Sequence, residues 1–131
     1  MPRGTRESSV RRPILVVDDT TAVREMIAAI LAPRGYRVSA ATNGRDGLSR
    51  LRAAVEPHLI LLDVVMPLLD GIGFWRGLQA DAELLAAGHR IILMSSAQRL
   101  ASPDLPRMDG QLVKPFTAHQ LIAAIHSLED H

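Results

Sequence analysis

From Pro13 onward, short apolar runs alternate with amphipathic segments, a pattern that predicts repeated βα units around a parallel sheet. Five runs read as strands: residues 14–17, 36–40, 59–62, 91–94 and 111–113. The third and fourth are apolar at every position, as expected where helices cover both faces of a parallel sheet, and they are placed at its centre. In the first helical segment Val23, Met26, Ile27, Ile30 and Leu31 recur at i, i+3, i+4, i+7 and i+8, one apolar stripe that ends before Pro33 and Gly35. The last helix opens on Thr117 and Gln120, spaced as a capping box, and carries Leu121, Ile122, Ile125 and Leu128 to the core. A second helix over 45–55 offers Leu48, Leu51 and Val55, but holds Gly47 in its interior, about 1 kcal/mol worse there than alanine. Gly73 and Gly77 weaken the third helix in the same way, and Pro103 and Pro106 argue against a full fourth helix over 97–110. The expected fold is α/β: a doubly wound, five-stranded parallel sheet flanked by helices, the fourth of them short.

A chain of 131 residues with 47% hydrophobic content has room for one core and no second. The expected division is a flexible tail over 1–12 and one domain over 13–131. The tail scatters Arg3, Arg6, Arg11 and Arg12 among Gly4, Glu7, Ser8 and Ser9 without hydrophobic periodicity, and reads as solvated rather than as a nucleic-acid arm. A net charge of +1 gives no basis for bulk polyanion binding, and the lack of cysteine removes disulfides and thiolate metal sites. No apolar run approaches the ~20 residues that cross a bilayer, so the expectation is a cytoplasmic protein with no membrane partner. The five histidines include no i, i+4 pair able to chelate zinc from a helix. Met26, Met66, Met94 and Met108 read as core or loop filling, and of the adjacent Phe74 and Trp75 at least one should face outward.

Ligands of an open parallel sheet bind beyond the carboxyl ends of its strands. Asp18 and Asp19 follow the first strand, Asp63 and Ser95 follow the third and fourth, and Lys114 follows the fifth. Singly these residues are ordinary turn, cap or loop residues. Together, three carboxylates on one edge repel one another unless a cation neutralises them, and an all-oxygen set completed by water and a phosphate oxygen suits Mg²⁺. In such a pocket an ionised Asp63 could attack a phosphoryl group while the metal and Lys114 offset charge on the transferred oxygens and Ser95 donates a hydrogen bond.

The segments Val16-Val17-Asp18-Asp19, Leu61-Leu62-Asp63-Val64-Val65-Met66-Pro67-Leu68-Leu69-Asp70-Gly71, Met94-Ser95-Ser96 and Val113-Lys114-Pro115-Phe116 resemble, in that order, the signature segments of response-regulator receiver domains of two-component signalling. The resemblance spans nearly the whole chain from about Pro13 and implies a flavodoxin-like (βα)5 fold. It further implies Asp63 as phosphoacceptor, Asp19 as a direct Mg²⁺ ligand and Asp18 as a direct or water-mediated one. The Val65 carbonyl would complete the protein's share of the metal site, Lys114 would pair with the phosphate, Ser95 would be the switch hydroxyl, and the Lys114–Pro115 bond would be cis. The implied donor is a phosphohistidine on a sensor histidine kinase or phosphotransfer protein, and the implied output is a downstream protein target, with no DNA-binding domain in this chain. Such a domain is a signalling phosphoacceptor rather than an enzyme, although it assists its own phosphorylation and dephosphorylation. The sequence departs from the pattern at Gln111, where the family carries an aromatic switch residue, and over 97–110, which looks about one helical turn short. Two other readings are a receiver fold kept as an interaction scaffold without phosphorylation, and a flavodoxin-like cofactor binder. The second lacks a glycine-rich phosphate cradle after the first strand.

Overall fold

Four consecutive apolar residues form β1 (Ile14–Val17), and all four are buried, because each face of the sheet they enter is covered. The structure, a computed structural model, describes residues 11–66, 70–106 and 108–129. The expected tail lies outside the described residues apart from positions 11 and 12. Five parallel strands, β1, β2 (Val38–Ala41), β3 (Leu59–Asp63), β4 (Arg90–Ser95) and β5 (Gly110–Val113), lie in the order β2-β1-β3-β4-β5. The apolar third strand is central, as its sequence predicts, and β4 lies beside it.

Alternate residues of the strands feed two cores. Leu15, Val17, Ile60, Leu62 and Leu93 pack with Phe74 and Leu78 on one face, whereas Ile14, Val16, Leu61 and Ile92 pack with Ile27, Leu31, Leu121 and Ile125 on the other. The second face is covered by α1 (Thr21–Leu31) and α6 (Ala118–Glu129). The first is covered by α2 (Gly44–Arg52), α3 (Gly71–Ala80), α4 (Ala82–Ala86) and α5 (Ala97–Leu100). The capping box at α6 forms as expected: Thr117 N–H donates to Gln120 Oε1 at 2.9 Å and Gln120 N–H to Thr117 Oγ1 at 3.1 Å. Among the described residues no helix is long and apolar enough to cross a membrane.

Several local expectations are corrected. The second strand begins at Val38, not at residue 36, because Gly35 turns at φ 89° and Tyr36 N–H closes back onto the Leu31 carbonyl at 3.3 Å. The Tyr36 ring is buried and its hydroxyl donates to Glu129 Oε1 at 3.0 Å; burial first, then Glu129, pushes its pKa up to about 12. The second helix stops at Arg52 as Ala53 and Ala54 bond to carbonyls three residues back, tightening the last turn, so Val55 is 96% exposed and no core residue. Met26 is also surface, 38% exposed, where it helps line a hollow with Lys114, Pro115 and Phe116. Phe74 is fully buried, while Trp75 is partly buried against the same core. The short α4 was not foreseen: the Asp81 carboxylate accepts Glu83 and Leu84 N–H at 3.0 and 3.2 Å, and buried Leu84 anchors the turn. The shortened fourth helix of the βα series is α5, a single turn capped by Ser96 Oγ, which accepts Arg99 N–H at 3.2 Å.

Gly47 and Gly77, read as weak points, are contact points. A Cβ at Gly47 would lie 2.9 Å from Phe74 Cε1 and 3.1 Å from Val17 Cγ2, and one at Gly77 would lie 2.6 Å from Leu48 Cδ1. At Gly47 the second helix thus meets the Phe74 ring and Val17 of the sheet at a spacing suited to glycine, whereas at Gly77 the contact is with the end of the flexible Leu48 side chain. Helix propensity alone predicts that Gly47→Ala stabilises the domain by about 1 kcal/mol. Overpacking against a fully buried ring predicts the reverse, a loss of about 1–3 kcal/mol. We expect a lower urea midpoint for Gly47→Ala; a higher one would show that the contact relaxes freely.

Candidate functional site

The carboxyl edge of the sheet collects the chemistry. Asp18 leaves β1 with its N–H bonded to the Ala41 carbonyl at 3.1 Å, and it is completely buried. Its Oδ1 accepts Thr20 N–H at 2.8 Å in an Asx turn, and its Oδ2 accepts Lys114 Nζ at 2.7 Å. Asp63, at the end of β3, is 6% exposed; its Oδ1 accepts Val65 N–H at 3.2 Å and its Oδ2 lies 3.5 Å from the same Lys114 Nζ. Asp19 is exposed and completes the cluster, with one carboxylate oxygen from each aspartate lying within 4.8 Å of the others.

Backbone bonds fix the ends of the neighbouring strands. Lys114 N–H donates to the Ser95 carbonyl at 2.8 Å and Val64 N–H to the Met94 carbonyl at 3.1 Å, while the Lys114–Pro115 peptide is cis as expected. Ser95 is buried at the end of β4, the strand between β3 and β5. Val65 is 60% exposed, two residues beyond Asp63. Thus Asp18, Asp19, Asp63 and Lys114 come together directly, and Ser95 and Val65 flank them on adjoining backbone.

Two contributors escaped the sequence reading. The Arg24 guanidinium donates from Nη1 to the Asp18 carbonyl at 2.8 Å and from Nη2 to Thr21 Oγ1 at 3.1 Å. It stands off the apolar stripe of α1, and nothing in periodicity distinguishes it from a solvated arginine. Gly71 starts α3 against the end of β3: its N–H donates to the Val64 carbonyl at 3.0 Å, and a Cβ there would lie 2.8 Å from Val64 Cα and 2.9 Å from the Asp63 carbonyl oxygen. Glycine at that position was visible, but its close approach to backbone was not.

Three carboxylates cluster here, and one ammonium is shared by two of them, Asp18 and Asp63. Burial is the largest influence on Asp63 and raises its pKa; the Asp18 charge adds to it, and Lys114 and the Val65 N–H oppose it. The cluster therefore lacks positive charge, and its donors are hard oxygens throughout. Oxygens on opposite sides of a magnesium ion are about 4.2 Å apart, twice the usual bond length. A set spanning 4.8 Å meets that within a small side-chain adjustment, so the residues fit a divalent hard cation.

Residues 14–126 match the family model for the response regulator receiver domain. Response regulator MprA of Mycolicibacterium vanbaalenii is 38% identical over 115 residues, covering 88% of this chain and 49% of that protein. The probable transcriptional regulator ycf27 of Cyanophora paradoxa is 34% identical over 122 residues, covering 90% of this chain and 48% of that protein. The chain thus spans about half the length of the curated relatives it matches. Among solved structures, the chemotaxis response regulator CheY4 of Vibrio cholerae superposes with a TM-score of 0.76 at 26% identity, covering 89% of this chain and 98% of that one. The response regulator TrrA of Thermotoga maritima, solved in complex with Mg²⁺ and BeF, gives 0.75 at 27% identity and covers 90% and 99%.

The raised pKa of Asp63 has a stability consequence whose sign follows from linkage. The folded state keeps its proton to higher pH than the unfolded chain, so it binds more protons in that interval and stability falls as pH rises through it. Metal-free Asp63→Asn should therefore melt at a higher temperature than wild type at pH 7. That advantage should shrink as pH falls toward the ordinary carboxylate value of 3.8. Thermal melts in chelator at both pH values test this; a variant less stable at pH 7 would contradict the charge argument.

Proposed function

We propose, from the fact that this chain belongs to the response regulator receiver domain family, that it accepts a phosphoryl group on Asp63 from a phosphohistidine of a sensor kinase or phosphotransfer protein in the cytoplasm. The observation that carries the reading is Lys114 Nζ seated between Asp18 at 2.7 Å and Asp63 at 3.5 Å, within a cluster of three carboxylates. Mg²⁺, held by Asp18, Asp19, Asp63 and the Val65 carbonyl, would supply positive charge to the phosphoryl oxygens during transfer.

The protein's own part follows from the geometry. An ionised Asp63 oxygen attacks phosphorus, an acyl–phosphate P–O bond forms, and the P–N bond to the donor imidazole breaks with its electron pair leaving on nitrogen. Lys114, already between two carboxylates, moves its ammonium toward the new phosphoryl oxygens, and the Ser95 hydroxyl donates to one of them. The domain promotes this transfer and the later hydrolysis but turns over no external substrate, which makes it a signalling phosphoacceptor rather than an enzyme in the usual sense. An interaction scaffold without phosphorylation would need Lys114 only to neutralise the buried carboxylates, and acetyl phosphate labelling separates the two readings.

The output side is altered. Gln111, at the position where the resemblance expects an aromatic ring, is exposed. With Leu100, Leu105, Pro106, Met108 and Gly110 it borders a cavity of about 380 Å³ beside the single turn of α5. A downstream protein would then read a change of order over 97–110 rather than the rotation of a ring.

Incubation with Mg²⁺ and acetyl phosphate should add one phosphate mass to the wild type and none to Asp63→Asn. Asp19→Asn should bind Mg²⁺ at least about 10-fold more weakly by calorimetry. Labelling that survives Asp63→Asn sinks the phosphoacceptor assignment, and unchanged affinity in Asp19→Asn sinks the ligand assignment. For the output, hydrogen exchange with and without beryllofluoride should differ over 97–110, and differences confined to the acidic edge would refute that part.

A further inference from the structure

We propose that Arg24 is a positioning residue for cation binding at the acidic cluster, acting through the backbone carbonyl of Asp18. The inference rests on the reading that the cluster holds Mg²⁺. Asp19 is exposed, and the place of its carboxylate is set by the turn of residues 18–20 rather than by packing. Two of the ties on that turn use the Asp18 carboxylate: Oδ1 accepts the Thr20 N–H at 2.8 Å and Oδ2 accepts Lys114 Nζ at 2.7 Å. Those oxygens are the ones a cation competes for, and Lys114 is needed elsewhere during phosphoryl transfer. The ties that use no such atom are the Asp18 N–H to Ala41, the Val23 and Arg24 N–H groups to the Thr20 carbonyl, and the Asp18 carbonyl to Arg24 Nη1 at 2.8 Å, the last being a side-chain tie.

Arg24 is built to hold that carbonyl. Its second terminal nitrogen donates to Thr21 Oγ1 at 3.1 Å, and its own N–H bonds to the Thr20 carbonyl at 3.1 Å in the first turn of α1. Thr20 itself makes no side-chain capping bond at that helix start. The planar guanidinium therefore bridges the helix and the loop through an atom that is not one of the carboxylate oxygens.

Charge and position predict opposite effects. A guanidinium near an acidic cluster repels an incoming cation, so on Coulombic grounds its removal should tighten Mg²⁺ binding. The Arg24 guanidinium is bonded to a backbone carbonyl and to the Thr21 hydroxyl, whereas the ammonium of Lys114 is the cation on the carboxylates themselves. Position should therefore win, and losing the tie should weaken binding.

The test is calorimetric titration of the full chain with Mg²⁺ alone. We expect wild type to bind, Arg24→Met to bind about 10-fold more weakly, and Arg24→Lys, which keeps the charge but can serve one acceptor, to fall between them. In metal-free protein, the Thr20 amide should exchange faster in Arg24→Met than in wild type while amides of β1 do not. Wild type that binds no Mg²⁺ would overturn the functional reading and this inference with it. Wild-type binding with equal or tighter binding in Arg24→Met would overturn the inference alone. Should Arg24→Met fail to fold, Thr21→Val removes only the second anchor; it should weaken binding severalfold, and unchanged affinity there would refute the proposal.

Discussion

Two buried carboxylates on adjacent strands share one ammonium, and the architecture is arranged around making that tolerable. A buried carboxylate without a partner carries a penalty of several kcal/mol, and two side by side add their mutual repulsion. Asp18 and Asp63 are unavoidable neighbours, because Val17 pairs with Leu62 in register and each aspartate is the next residue of its strand. The compensating cation comes from β5, which lies two strands from β3, and strands stand about 4.8 Å apart. Only a long, flexible side chain spans that distance over the end of β4, where the small Ser95 leaves room. A shorter basic residue on β5 would not reach, and a bulky residue in place of Ser95 would stand in the way.

The second requirement is that the backbone carrying Asp63 stay where the lysine can find it, and glycines meet it. Gly71 lets the first turn of α3 lie on the Asp63–Val64 peptide, with its N–H on the Val64 carbonyl. Gly47 and Gly77 let α2 and α3 close on Phe74, Val17 and Leu48. The penalty in helix propensity, about 1 kcal/mol each, is set against close contacts with the Asp63–Val64 backbone at Gly71 and the Phe74 ring at Gly47. Glycines that look like defects in the helical pattern are thus points of close contact among α2, α3 and the end of β3.

This explains what sequence could and could not reveal. Strand number and type, the central place of β3, the two long helices and the short fourth helix of the βα series follow from apolar periodicity and from Pro103 and Pro106, which act locally. The strand-end residues were legible because an open parallel sheet directs its chemistry to that edge. What failed were positions decided by tertiary geometry. Val55 fits the stripe of its helix, but the chain leaves the helix at Arg52 before that stripe reaches it. Met26 fits the stripe of α1, but lies at its margin. Tyr36 looks like the start of a strand, but Gly35 folds it back onto α1 instead. Arg24 has no sequence signal at all, since its partner is a backbone carbonyl six residues earlier.

The same edge also connects to the segment that departs most from the usual pattern. Ser95 holds Lys114 through its carbonyl, Met94 holds Val64, and the next residue, Ser96, caps α5. On the proposed function, a displacement of Ser95 toward a phosphorylated Asp63 would pull on the cap of a helix four residues long. A single turn has little stability of its own, because nucleation consumes most of what its hydrogen bonds return. It depends on Leu100 in the core and on the cap. Leu105 and Met108 pack against the same core, while a solvent-open pocket lies between α5 and β5, bordered by Leu100 and Gln111. A full helix in that place would resist a small pull at its first residue. A one-turn helix has less reserve, so on the proposed function the order of α5 responds to events at the acidic edge.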